Sequence, residues 1–223
     1  MNAGQQHIRG QAAMAPLSAQ GSTARVRDPD ATRHRILEAA FDQIYHHGYQ
    51  GMRLDDVIAA TGLTKGALYH HFANKLALGY AVVDEVIAGV IDQLWLQPLR
   101  ASARPLAELT RIISELHQAA GHDLMTYGCP LNNLAQEMSP LDEGFRRRID
   151  QLYLHWRKGL VEALDRAARI GELRPGVDTT RVAAFIVAAL SGCIGMAKNS
   201  QRKDELLLCT RSLVEYLEQL RHA

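Results

Sequence analysis

From Asp30 almost to the C-terminus, apolar residues recur every three or four positions, the spacing of one face of a helix. Ile36, Leu37, Ala40, Phe41, Ile44 and Tyr45 make the first such stripe, and Gly48 follows as a stop. A short helix over Leu54–Thr61 carries Leu54, Val57 and Ile58, and Gly62 breaks it. Thr64 is placed to cap a third, brief helix that ends near Phe72, its hydroxyl accepting from a free backbone N–H. Asn74 caps a long fourth helix through Val82, Val86 and Val90, which Pro98 is expected to end. Leu106 to His122 reads as helix, HDLMTYG as a loop, and Cys129–Pro130 as the opening of another helix. Ser139–Pro140 with Asp142 and Glu143 predicts the start of a helix that aligns Phe145, Ile149, Leu152, Trp156, Leu160 and Leu164 before Gly171 ends it. Asp178 caps TTRVAAFIVAALSGCIGMAKN, which is apolar nearly all round and is expected to be buried. The last helix, Asp204 to Arg221, carries Leu206, Leu213, Leu217 and Leu220. No alternating β-branched run lies between hairpin turns, so the fold class is all-α. Two apolar helices side by side at the C-terminus suggest a bundle completed by a second copy of the chain.

Composition narrows this picture. Of the 223 residues 47% are hydrophobic, enough for a sizeable core and against wholesale disorder. A net charge of +1 excludes a histone-like polycation, though not a nucleic-acid binder whose cations share one surface. Residues 1–29, rich in Gln, Ala, Gly and Ser, lack the apolar core of a signal peptide and are expected to form a flexible tail. No apolar run is expected to span a bilayer, so a soluble, cytoplasmic protein with no membrane partner is expected. Cys129, Cys193 and Cys209 are far apart and form no CxxC. Neither a disulfide framework nor a zinc ribbon is expected, and a reducing compartment fits.

The stretch TGLTKGALYHHF, Thr61 to Phe72, carries the candidate chemistry. Adjacent histidines on a helix point about 100° apart, so His70 and His71 are poorly placed to share a metal ion. The stretch is neither GxxxxGK[ST] nor GxGxxG, and no strand precedes it, so a phosphate loop is not indicated. No nucleophile, base or metal constellation marks a catalytic site, and no cofactor is implied. A helix-turn-helix accounts for each residue. Gly62 supplies the positive φ of a tight turn, and Leu63 packs the turn against Val57 and Leu68. Gly66 and Ala67 are small enough to let the next helix approach base edges, and Thr64, Lys65, Tyr69 and His70 surround them with donors suited to phosphates. Leu68 and Phe72 turn inward to hold that helix on Phe41.

From Thr32 to Leu78 the sequence TRHRILEAAFDQIYHHGYQGMRLDDVIAATGLTKGALYHHFANKLAL resembles the DNA-binding domain of the TetR (tetracycline-repressor-like) family of transcriptional regulators. The resemblance implies an N-terminal three-helix helix-turn-helix domain over 30–78 and a helical ligand-binding and dimerisation domain over 79–223. It also implies a homodimer on a palindromic double-stranded DNA operator, repressing until a small-molecule effector binds. Carried over, Thr64, Tyr69 and Lys75 match positions that hold phosphates, and Lys65, Gly66, Ala67 and His70 those that face bases or the adjacent backbone. One departure is Arg53, where the family commonly has a capping Ser or Thr before the second helix. An arginine there offers a charged phosphate contact in place of a cap.

The second domain is less informative. Cys129 precedes Pro130 at a helix start, where free N–H groups favour a thiolate, and a similar segment lines the effector pocket in a subset of the family. It reads either as an electrophile- or oxidant-sensing thiol or as a small buried residue, whereas Cys193 and Cys209 read as packing. Trp95, His117, Tyr127, Asn133, Trp156 and Phe185 are candidates to line a cavity with apolar walls and a few polar contacts. Arg146 to Arg148 reads as a solvated helix face. Two other function classes remain open: an enzyme using the C-terminal cavity, and an architectural dimer that needs no ligand.

Overall fold

The computed structural model describes residues 29–222, apart from residue 120 and the side chains of residues 117–122. The tail expected over 1–29 lies outside the described residues but for Pro29. The architecture is all-α. Helix α1 (Pro29–Gly51), α2 (Leu54–Thr61) and α3 (Lys65–His71) form the first unit. A long helix, α4 (residues 75–101), leads into the second unit of α5 (Pro105–Ala119), α6 (Gly121–Tyr127), α7 (Pro130–Met138), α8 (Glu143–Arg169), α9 (Thr179–Ser200) and α10 (Lys203–Glu218). Among the described residues the single β-type pairing is an isolated bridge between Leu173 and Arg221.

The expected stops act as predicted in the first unit. Gly48 leaves the helical path at φ 76°, and Gly62 takes the left-handed conformation at φ 63° that closes the turn between α2 and α3. Thr64 caps α3 through Ala67 N–H, and Asn74 caps α4 through Ala77 N–H. Ile36, Leu37, Ala40, Ile44, Val57, Leu68 and Phe72 are all buried. Phe41 is only half-buried and stacks on Tyr45, at 5.6 Å, while the face of Phe72 is covered by the Arg33 guanidinium at 5.0 Å.

Four expectations for the second unit are corrected. Helix α4 does not end at Pro98 but runs to Ala101. The wide π turn Asp92–Leu96 precedes it, and Pro98 falls in the first turn of the α segment that follows, where a missing N–H is tolerated. HDLMTYG is largely helix α6, because Leu124 and Met125 find partners in the core and Gly128 closes the helix by donating its N–H to Leu124 O at 3.0 Å. The start read at Ser139–Pro140 is a turn, and α8 begins at Glu143 with Asp142 accepting from Phe145 N–H. Arg148 is not a solvated residue: it reaches Asp84 at 3.1 Å and covers the Tyr80 ring, stitching α8 to α4, while Arg146 and Arg147 stay exposed beside Glu143.

α9 also departs from expectation. It is the described helix long and apolar enough to cross a membrane, with a window of mean hydropathy 1.7. It packs between α8 and α10 instead, burying Val182, Ala183, Ile186, Val187, Leu190 and Ile194. Its outer side is not covered by the described residues: Phe185 is 49% exposed and Met196 57%, and Leu208 of α10 is 67% exposed.

One close approach fixes the units against each other, and one buried carboxylate ties the second unit together. Gly79 on α4 has no room for a side chain, since a Cβ would stand 2.5 Å from Tyr49 Cε2 and 2.8 Å from Phe145 Cζ. That close approach brings α1, α4 and α8 into one contact. The buried Glu172, after α8, accepts from Leu106 N–H at 2.9 Å and Arg104 Nε at 3.1 Å, so it caps α5 from outside that helix.

Candidate nucleic-acid interface

α3 presents two unlike faces. Leu68 is buried, while Lys65, Gly66, Tyr69 and His70 are exposed and Ala67 is half-buried. The face predicted to meet a groove is thus left uncovered by the described residues. An added Cβ at Gly66 would meet nothing nearer than Thr64 Oγ1 at 4.0 Å, so the helix backbone lies bare there. Lys65 Nζ lies 6.0 Å from the centre of the Tyr69 ring, so the cation and the aromatic share one face of the helix. The His70 and His71 rings meet edge to face at 5.3 Å, an aromatic contact and not a shared-ligand geometry. Arg53 occupies the N-cap position of α2 in extended conformation, exposed, with no side-chain capping bond. Its guanidinium is therefore not committed to the helix it precedes.

Lys75 opens α4 at the same end of the unit. Its ammonium donates to Gln50 O at 3.0 Å and sits 4.9 Å over the Tyr49 ring. Partial burial lowers its pKa, and the nearby Glu137 carboxylate opposes that shift. Periodicity placed Tyr45 on the first apolar stripe but offered no reason to single out Glu137 or Arg33, and each of the three crosses the seam between units. Glu137 accepts from Tyr49 and Gln50 N–H, Arg33 pairs with Glu85 at 2.6 Å through Nη2, and Tyr45 donates to Gly128 O at 3.0 Å. Their partners lie more than fifty positions away in sequence, beyond the reach of any local pattern.

The candidate effector residues do not form one set. Trp95 and Trp156 are buried and pair at 5.2 Å inside the second unit, Trp95 within the π turn of α4. The Trp156 indole N–H has no acceptor among the described residues. Tyr127 lies at the seam, edge-on to His46 at 4.3 Å. Asn133 donates to Tyr127 O at 2.6 Å and accepts from Lys198, tying α6, α7 and α9 together. Phe185 is corrected: it stands against Tyr216 on the outer side of α9 and α10, away from any interior wall. The side chain of His117 lies outside the described residues.

The cysteines also require correction. Cys193 and Cys209 form a disulfide, with Cα atoms 5.6 Å apart, where separate packing roles were expected. They sit at the same level of two adjacent helices, a pairing that no CxxC spacing reveals. Cys129 is the free thiol, at the N-cap of α7 as predicted. Burial pushes its pKa up, outweighing the Leu131 and Asn132 N–H groups that pull it down, so the thiolate expected from the helix start is disfavoured. A limiting alkylating reagent on unreduced protein should therefore give a single, slow adduct at Cys129, and all three cysteines should react after reduction. Peptide mass mapping checks this; early labelling of Cys193 or Cys209 before reduction would show the pair to be open.

Residues 36–82 match the family model of bacterial regulatory proteins, tetR family, and residues 105–213 that of the tetracyclin repressor-like C-terminal domain. An uncharacterized HTH-type transcriptional regulator from the lacX 3′ region of Lactococcus lactis is 32% identical over 133 residues, which is 60% of this chain and 68% of that protein. The HTH-type transcriptional repressor DhaR of a Mycobacterium species is 24% identical over 174 residues, 78% of this chain and 86% of that one. A solved TetR-family regulator from Cytophaga hutchinsonii has a TM-score of 0.79 at 25% identity, covering 90% of this chain and 100% of the other.

Proposed function

The chain belongs to the TetR family of transcriptional regulators, and from that premise we propose that it is a homodimeric repressor released from a palindromic operator by a small molecule. The observation that carries the DNA reading is the bare, exposed face of α3. Gly66 and Ala67 approach the bases, Lys65 and His70 meet base edges or nearby backbone, and Thr64, Tyr69, Lys75 and Arg53 take phosphates. Repression follows the name of DhaR, and the protein would act in the cytoplasm, where an operator is reached.

Dimerisation is supported by the apolar outer side of α9 and α10, with Phe185, Met196 and Leu208 all about half exposed or more. For the effector, the interior of the second unit around Trp95 and Trp156 favours a noncovalent ligand with an apolar body and an acceptor for the free indole N–H. The raised pKa of the half-buried Cys129 thiol makes covalent sensing the weaker reading.

The test is selection of duplexes from a random pool by the full-length protein, with sedimentation of the selected complex. The expected result is an inverted repeat with half-sites about 34 Å apart, or a multiple of one helical turn, bound by two chains. A single asymmetric site held by one chain would overturn the dimer reading, and recovery of no preferred sequence would overturn the operator reading.

A further inference from the structure

Bonds from both units converge on one turn of backbone. α1 leaves the helical path at Gly48, and the N–H groups of Tyr49 and Gln50 that follow both point to the Glu137 carboxylate on α7, at 3.0 and 2.8 Å. A Cβ on Gly48 would stand 3.0 Å from Glu137 Oε2, so the carboxylate seats against the turn because residue 48 has no side chain. On the other side of the same turn, Gln50 O accepts from Lys75 Nζ and the Tyr49 ring lies under the ammonium. One carboxylate of the second unit thus orders the two residues that hold Lys75.

A lysine on its flexible four-carbon stem loses rotamer freedom when it meets a phosphate, and a stem already held in place loses less. The ammonium has three donors, of which Gln50 takes one, leaving two for an anion. We propose that Glu137 is a positioning residue for DNA binding: by fixing Tyr49 and Gln50 it holds Lys75 where a phosphate is met. The placement of this contact then depends on α7, whose opposite end carries Cys129 and Asn133. A shift of α7 in the second unit is thereby passed to the residues that hold Lys75 through this carboxylate. The inference rests on the reading of Lys75 as a phosphate contact.

Glu137→Gln keeps the side-chain shape but sets a neutral amide against two N–H donors. In the full-length protein it should speed hydrogen exchange at the Tyr49 and Gln50 amides. On a duplex selected by the wild type, it should weaken binding about fivefold and Lys75→Met about tenfold, the scale of one charged hydrogen bond. Each should lower the salt slope by about one, which a merely structural weakening would not do. The double variant should bind no more weakly than Lys75→Met. Glu137→Asp, charged but too short to span the seam, should behave as the Gln variant. Losses that multiply in the double variant overturn the proposal, as does Glu137→Gln at wild-type affinity while Lys75→Met is weakened. Lys75→Met at wild-type affinity would fail the phosphate reading itself, and this inference with it.

Discussion

Gly66→Leu should abolish specific operator binding and leave the protein folded. The substitution meets no steric obstacle among the described residues, since the nearest atom to an added Cβ is Thr64 Oγ1 at 4.0 Å. Within α3 it exchanges glycine for a better helix former, a gain of about 0.8 kcal/mol. All of the expected damage is therefore outside the chain. A branched side chain in the middle of the Lys65, Tyr69 and His70 face holds the helix off the floor of a major groove, and base contacts are lost together. Affinity should fall roughly a thousandfold, to the level of non-specific binding. The cations remain, so the residual binding should keep a steep salt dependence. Competition binding against random-sequence DNA, with circular dichroism as the folding control, measures both halves of the claim. Sequence discrimination equal to the wild type would show that α3 enters the groove by a different face, or not at all.

What made this face readable is that helix-turn-helix chemistry is local. Gly62, Thr64, Leu68 and Phe72 lie within a dozen residues, and each acts on its near neighbours through φ, a capping bond or helical spacing. Part of the second unit was legible for the same reason, as where the Asp178 cap opens a long apolar run. Misreadings arose where tertiary packing decides. A proline ended α4 only on the assumption of a regular helix, and the π turn before Pro98 removes that assumption. HDLMTYG is polar enough to be a loop until Leu124 and Met125 find the core. The Cys193–Cys209 pair and the Glu137 contact join residues that are neighbours only after the helices have folded against each other. For Cys129 the placement at a helix start was right, but the helix terminus competes with burial, and burial depends on residues far away in sequence.

The same distinction governs the outer side of α9. Its composition said that the helix must be buried, and within one chain half of that burial is missing. Phe185, Ala188, Gly192 and Met196 fall on the uncovered side, at helical spacing, and Leu208 and Ser212 are exposed on the adjacent helix α10. The small residues let a second helix come near, and Gly192 has nothing within 4 Å of where a Cβ would stand. Gly192→Arg should thus be harmless to an isolated chain and severe for a dimer built on this face. In a two-fold interface the same patch meets itself, so each substitution places two guanidinium groups in one apolar contact. We expect a monomer at micromolar concentration by sedimentation, with unchanged helicity. Operator affinity should fall by about a hundredfold or more, because the second half-site is no longer bound at high effective concentration. A duplex holding one half-site separates this from Gly66→Leu: Gly192→Arg should bind it as the wild type does, whereas Gly66→Leu should not. A Gly192→Arg protein that still sediments as a dimer would place the interface elsewhere and leave the exposed Phe185, Met196 and Leu208 in need of another partner.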